Sequence, residues 1–150
     1  MATIVKSKAK FYGECLNTFE LLQALKSPVF ESDTAPVSIK LELNYLPLTM
    51  VYLCDGCSKL HLVCGQLGED EFIGSKSGIH VLIDHTTDGK CVCKSELIEA
   101  LECLFENHQV IIENLGDPKN YPLTEVFKCH DKCPAVHLDC GYDRNCIYPN

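Results

Sequence analysis

Tryptophan is absent from the sequence, methionine occurs twice, and no stretch approaches the roughly 20 consecutive apolar residues that a membrane-spanning helix needs. The last of these absences argues against a helical membrane protein. Met1-Ala-Thr-Ile-Val-Lys-Ser-Lys8 has two lysines but no apolar segment behind them, so it does not read as a secretory signal. Neither end carries a prenylation or myristoylation pattern. Basic residues are few: 13 Lys and Arg stand against 21 Asp and Glu, a net charge of −8, and Lys6, Lys8 and Lys10 form the one short basic run. Nucleic-acid affinity is supplied by Lys and Arg, so the balance disfavours RNA or DNA and favours a protein partner. Catalytic signatures are missing too. There is no G-x-S-x-G, P-loop, dinucleotide fingerprint or H-E-x-x-H, no papain-like or caspase-like cysteine motif, and no H-x-E before a P-C-x-x-C. The expectation is a protein that is not an enzyme.

Cysteine is what the chain has in excess. Eleven occur, and Cys129, His130, Cys133, His137, Cys140 and Cys146 crowd the end of the chain. A chain of 150 residues buries roughly 68–70% of its unfolded surface and needs no staple to build a core. The odd count and the missing export signal favour thiolates held by metal over a disulfide framework. A four-cysteine zinc site would make the chain more acidic still, because the thiolates outweigh the metal.

The pattern along the chain predicts an α+β fold of short antiparallel strands and two main helices, stapled by two zinc sites. Residues 1–13 form an arm or first strand. Leu16, Phe19, Leu22 and Leu25 recur at helical spacing, with Asn17 or Thr18 as cap and Pro28 as the stop. Val37, Ile39, Leu41 and Leu43 alternate with polar residues as in a half-buried strand, which Pro47 breaks. Strands follow at Thr49–Leu53, Leu60–Cys64 and Ile79–Ile83. The strongest helix is Ser95 to about His108, with Leu97, Ile98, Leu101, Leu104 and Phe105 as its stripe. Val110–Ile112 and Leu123–Phe127 close the strand list. No internal repeat is read. The expected organisation is a zinc-stabilised domain over 1–126 and a Cys/His zinc-binding segment over 127–150 packed on it.

Cys54-x-x-Cys57, carried between two strands, is the strongest local motif. A two-residue spacing lets one turn offer both sulfurs to one ion, with Gly56 permitting the tight backbone. Cys91 and Cys93 are expected to complete this first site, the latter at a helix start whose dipole favours thiolate. His85 or His80 is able to replace one of those sulfurs. The second site is assigned to Cys129, Cys133, His137 and Cys140, with Cys146 as the alternative ligand and His130 a further candidate. Lys128, Lys132 and Arg144 are expected to lower the pKa of the terminal sulfurs, with Asp131 and Asp139 pushing the other way, and a site at a chain end is expected to be the oxidant-labile one. Cys15, Cys64 and Cys103 read as core packing, His61 and His80 as half-exposed strand residues.

Val51-Tyr-Leu-Cys-Asp-Gly-Cys-Ser-Lys-Leu-His61, followed by His80-Val-Leu-Ile-Asp-His-Thr-Thr-Asp-Gly-Lys-Cys91 with Cys93 and a helix, and then Cys133-Pro-Ala-Val-His137-Leu-Asp-Cys140, resembles in layout the small first-reading-frame protein of sobemoviruses, a group of plant RNA viruses. The Cys-x-Cys of Cys91 and Cys93 departs from that family's Cys-x-x-Cys, and residues before 50 show no match. The resemblance implies a suppressor of host RNA silencing that also aids virus movement, with zinc holding the scaffold. It further implies a partner in the host defence or silencing machinery and a place in the host cytoplasm or nucleus. An apolar patch on the first helix or on the Val37–Leu43 strand is compatible with a homodimer. Two rival readings are a zinc-dependent ubiquitin-ligase adaptor and a secreted disulfide-rich effector.

Overall fold

A computed structural model describes residues 2–8, 15–41, 44–65, 78–115 and 120–140. The elements are β1 (Thr3–Ser7), α1 (Thr18–Leu25), β2 (Val37–Leu41), β3 (Asn44–Cys54), β4 (Leu60–Cys64), β5 (Ile79–Asp84), α2 (Lys94–Glu102), β6 (Val110–Asn114), β7 (Asn120–Lys128) and β8 (Val136–Cys140). Six strands pair in the ring β7-β6-β4-β3-β2-β8, and β8 returns to β7, so the sheet closes into a barrel. β1 and β5 lie outside the ring, paired with β7 and β3. The fold is α+β as expected. Two of the ring pairings, β2 with β8 and β4 with β6, are parallel rather than antiparallel. A parallel pair requires a crossover between its strands, and the chain supplies one for β4 and β6 by passing through β5 and α2.

The barrel is filled by alternate strand residues. Val37, Ile39 and Leu41 of β2, Leu60, Leu62 and Cys64 of β4, and Val136, Leu138 and Cys140 of β8 all enter one core cluster, as the two-residue period of a strand requires. The helices join this core through Leu21, Leu25, Leu97 and Leu101.

The two halves of the chain have the same construction, against the expectation of no repeat. β1-α1-β2-β3-β4 is followed by β5-α2-β6-β7-β8 in matching order. Every pairing has its counterpart: β1 on β7 matches β5 on β3, and β2 beside β8 matches β6 beside β4. Even the isolated contacts repeat. Leu16 N–H donates to Leu123 as Val92 N–H donates to Leu48, and Asn17 bridges Gln109 as Cys93 bridges Pro36. The sequence carries the same relation. Gly13-Glu-Cys-Leu-Asn-Thr-Phe-Glu-Leu-Leu-Gln-Ala-Leu25 aligns with Gly89-Lys-Cys-Val-Cys-Lys-Ser-Glu-Leu-Ile-Glu-Ala-Leu101. Pro47-Leu-Thr-Met-Val-Tyr-Leu-Cys54 aligns with Pro122-Leu-Thr-Glu-Val-Phe-Lys-Cys129, and Cys57, His61, Leu62 and Cys64 with Cys133, His137, Leu138 and Cys140.

Local chemistry explains the departures from the expected elements. Pro47 does not end a strand: it sits inside β3, where pairing passes from β2 to β4. A residue with no N–H is tolerated at that change of partner, and Pro122 stands at the equivalent point of β7. α1 begins one residue after Asn17, whose side chain accepts from Glu20 N–H while Glu20 accepts from Asn17 N–H, a reciprocal cap. Its buried side is Leu21, Ala24 and Leu25, whereas Phe19 is 53% exposed. α2 ends at Glu102, short of the expected His108, and Phe105 is fully exposed rather than part of an apolar stripe. There the Asn107 side chain accepts from the Thr18 hydroxyl and Phe19 N–H, turning the chain toward α1 and β6. Cys103, expected in the core, is exposed at the end of α2. Residues 127–140, set apart as a packed segment by sequence, supply the end of β7 and all of β8.

Candidate metal centres

Two hairpins carry the Cys/His chemistry. In the first, β3 ends at Cys54, the turn presents Cys57, and His61 lies on β4. Ser58 N–H donates to Cys54 C=O and Cys54 N–H to Lys59 C=O, closing a tight connection whose left-handed residue is Ser58, at φ 58°. Gly56 was expected to provide that freedom, yet a Cβ there would stand an ordinary 3.8 Å from Cys54 Sγ. The ligand atoms of Cys54, Cys57 and His61 lie within 4.8 Å of one another. Cys57 Sγ is 3.2 Å from His61 Nε2. Zinc bonds of about 2.0–2.3 Å place ligand atoms at such separations.

The second hairpin repeats the arrangement. Cys129 follows β7, Cys133 lies in the connection, and His137 is on β8, again with all three ligand atoms within 4.8 Å. Cys133 Sγ is 3.4 Å from His137 Nε2. In each case the imidazole sits four residues after the second sulfur, on the outer face of the barrel.

Burial divides the cysteines by role. Desolvation pushes the Cys64 thiol up to about 12, so it behaves as a core thiol. Bonds from backbone N–H groups, that of Cys57 foremost, hold Cys54 below the ordinary thiol value, whereas desolvation raises Cys57. Desolvation also raises Cys129, with Cys133 adding to it, against the lowering expected from Lys128 and Lys132. Desolvation lowers His137, which favours the neutral imidazole that ligates metal.

The clusters differ from the expected ligand sets in instructive ways. Cys54 and Cys57 are together as expected, but Cys91 and Cys93 join neither cluster. Cys91 Sγ donates to Val37 C=O at 3.1 Å and burial raises its pKa; Cys93 caps α2, its Sγ 3.3 Å from Ser95 Oγ. Cys129, Cys133 and His137 are together as expected, but Cys140 is buried in the core with its Sγ toward Lys40 C=O. The reason is strand geometry: Cys140 lies three residues after His137, an odd step that puts it on the opposite face. His61, read from sequence as a surface residue, is instead 5% exposed and completes the first cluster. Its spacing from Cys57 equals that of His137 from Cys133, which is the signal that would have found it. His85 bonds Asp88 at 3.0 Å and Glu96 at 2.8 Å, and those bonds, Glu96 first, raise its pKa. His80 pairs with Asp55, and His130 accepts from Lys132 N–H. Cys146 and Arg144 lie outside the described residues.

Both clusters are compatible with metal: two soft sulfurs and an imidazole are the donors that zinc prefers. Among the described residues each cluster has three such ligands. No protein-family model matches the chain, and neither does any curated protein or solved structure. No described helix is long and apolar enough to cross a membrane.

Proposed function

We propose that this chain is a non-enzymatic zinc-binding protein that holds two zinc ions, one in each half of a duplicated barrel, and presents the stapled surface to a protein partner. The carrying observation is the paired Cys-Cys-His grouping at two equivalent hairpins. Zinc at each would fix a hairpin turn that few apolar contacts hold, since Asp55, Gly56, Cys57 and Ser58 in one and His130, Asp131 and Lys132 in the other are exposed. The acidic balance of the chain supports a protein target over a phosphate backbone.

The sobemovirus-like layout of the Cys/His elements gives this scaffold its activity in our reading: suppression of host RNA silencing and support of virus movement, in the host cytoplasm or nucleus. Expression in leaves carrying a silenced reporter tests it. Wild-type chain is expected to restore the reporter, and the His61→Ala and His137→Ala variants to lose most of that effect. A well-expressed, folded chain that leaves silencing intact would remove this activity.

A further inference from the structure

The two centres are duplicates in their ligands and opposites in what surrounds the imidazole. At the first, His61 Nδ1 lies 3.1 Å from the Tyr52 hydroxyl and 3.2 Å from Glu113 Oε1. Tyr52 also donates to Glu113 and stacks on the His61 ring, with centroids 4.5 Å apart and planes at 11°. At the second, His137 is 6% exposed and its Nδ1 has no hydrogen-bond partner among the described residues. Strand register identifies what has been replaced. Tyr52 opposes His61 as Phe127 opposes His137. Glu113 lies beside Val63, two residues after His61, as Lys40 lies beside Asp139, two residues after His137. A tyrosine and a carboxylate in one half are thus a phenylalanine and a lysine in the other. Phe127 stacks on His137 at 5.1 Å, Tyr45 approaches at 4.8 Å, and the Lys40 ammonium stands 5.8 Å from the Phe127 ring centre.

When Nε2 ligates a metal, Nδ1 must carry the proton and needs an acceptor. A carboxylate in that place fixes the tautomer, orients the ring and raises its basicity, and its loss typically weakens metal binding 10–100-fold. A buried donor left without an acceptor opposes ligation instead, and a nearby cation opposes it further. We infer that Glu113 and Tyr52 are positioning residues that make the Cys54, Cys57, His61 centre the tighter of two duplicated metal sites, while Lys40 and Phe127 leave the Cys129, Cys133, His137 centre the weaker one. The inference rests on the metal-binding reading above and adds an order of affinity, together with its cause.

Cobalt(II) titration of the full chain, followed by its visible absorption and by chelator competition, tests this directly. Two binding phases are expected, with the tighter phase absent in His61→Ala. Glu113→Ala is expected to weaken the tighter phase by about 10–100-fold and leave the weaker phase in place. Tyr52→Phe is expected to weaken it less, which guards against a variant that fails to fold. The paired change Lys40→Glu with Phe127→Tyr is expected to tighten the weaker phase, a gain that general damage cannot produce. Uptake of two ions with equal affinity, or an equal loss at both centres on Glu113→Ala, overturns this inference and leaves the metal-binding reading standing. Uptake of no metal by the folded chain overturns both.

Discussion

Removing metal from the folded chain is expected to lower its stability by about 4 kcal/mol at the tighter centre, taken from free zinc at about 1,000 times its dissociation constant, and by less at the weaker one. A ligand that binds the folded state alone adds to stability by mass action, and the two groups of ligand atoms exist only when the hairpins are formed. The barrel itself is expected to persist. None of the six ligands belongs to the main core cluster, which is built from residues such as Leu48, Leu62, Leu123 and Leu138. Urea unfolding with and without a chelator, followed by far-ultraviolet circular dichroism, checks both statements. The expected result is an earlier midpoint with the strand signal retained before the transition. An unchanged midpoint would contradict a stabilising role for metal.

Leu48→Ala and Leu123→Ala are the second pair of large effects, each expected to cost about 2–5 kcal/mol through lost burial and the cavity left behind. Both side chains are fully buried. They occupy equivalent places, each on the residue after the proline where its long strand changes partner, and each accepting a backbone bond from the residue before a helix cap. The duplication therefore predicts similar costs for the two. Phe105→Ala, at a fully exposed position, is expected to stay within about 0.5 kcal/mol of wild type. Equilibrium denaturation of the three variants makes the comparison. A large cost at one leucine and none at the other would contradict the equivalence of the halves.

Local signals carried a good part of the fold. Alternation located β2, and the run Leu60–Cys64 is β4 to the residue. The start of α1 was legible only to within a residue, Asn17 or Thr18; the reciprocal bonds with Glu20 make Asn17 the cap. β8 was not legible, since the cysteines of the tail drew Val136 and Leu138 into a metal loop although both alternate into the core. The repeat was hidden by a one-residue difference, Cys54-x2-Cys57 against Cys129-x3-Cys133, and by unequal connections between the matched strands.

The sites show the same limit. Spacing alone named Cys54 with Cys57 and Cys129 with Cys133, because a turn can bring near neighbours to one ion. It could not say which face of a strand a later residue takes. His61 was therefore missed, and Cys140, Cys91 and Cys93, expected as ligands, lie outside both clusters: Cys140 packs in the core, Cys91 donates to Val37 C=O and Cys93 caps α2. The environment of each imidazole depends on β6 and β2, strands remote in sequence from the motifs they flank.

Metal content of the purified chain, measured by native mass spectrometry alongside elemental analysis, tests the central claim most directly. Two zinc ions per folded wild-type chain are expected, with one lost in His61→Ala, the other in His137→Ala, and none remaining in the double variant. A folded wild-type chain that takes up no zinc, or that keeps two ions in the double variant, would contradict the assignment of a metal centre to each half of the barrel.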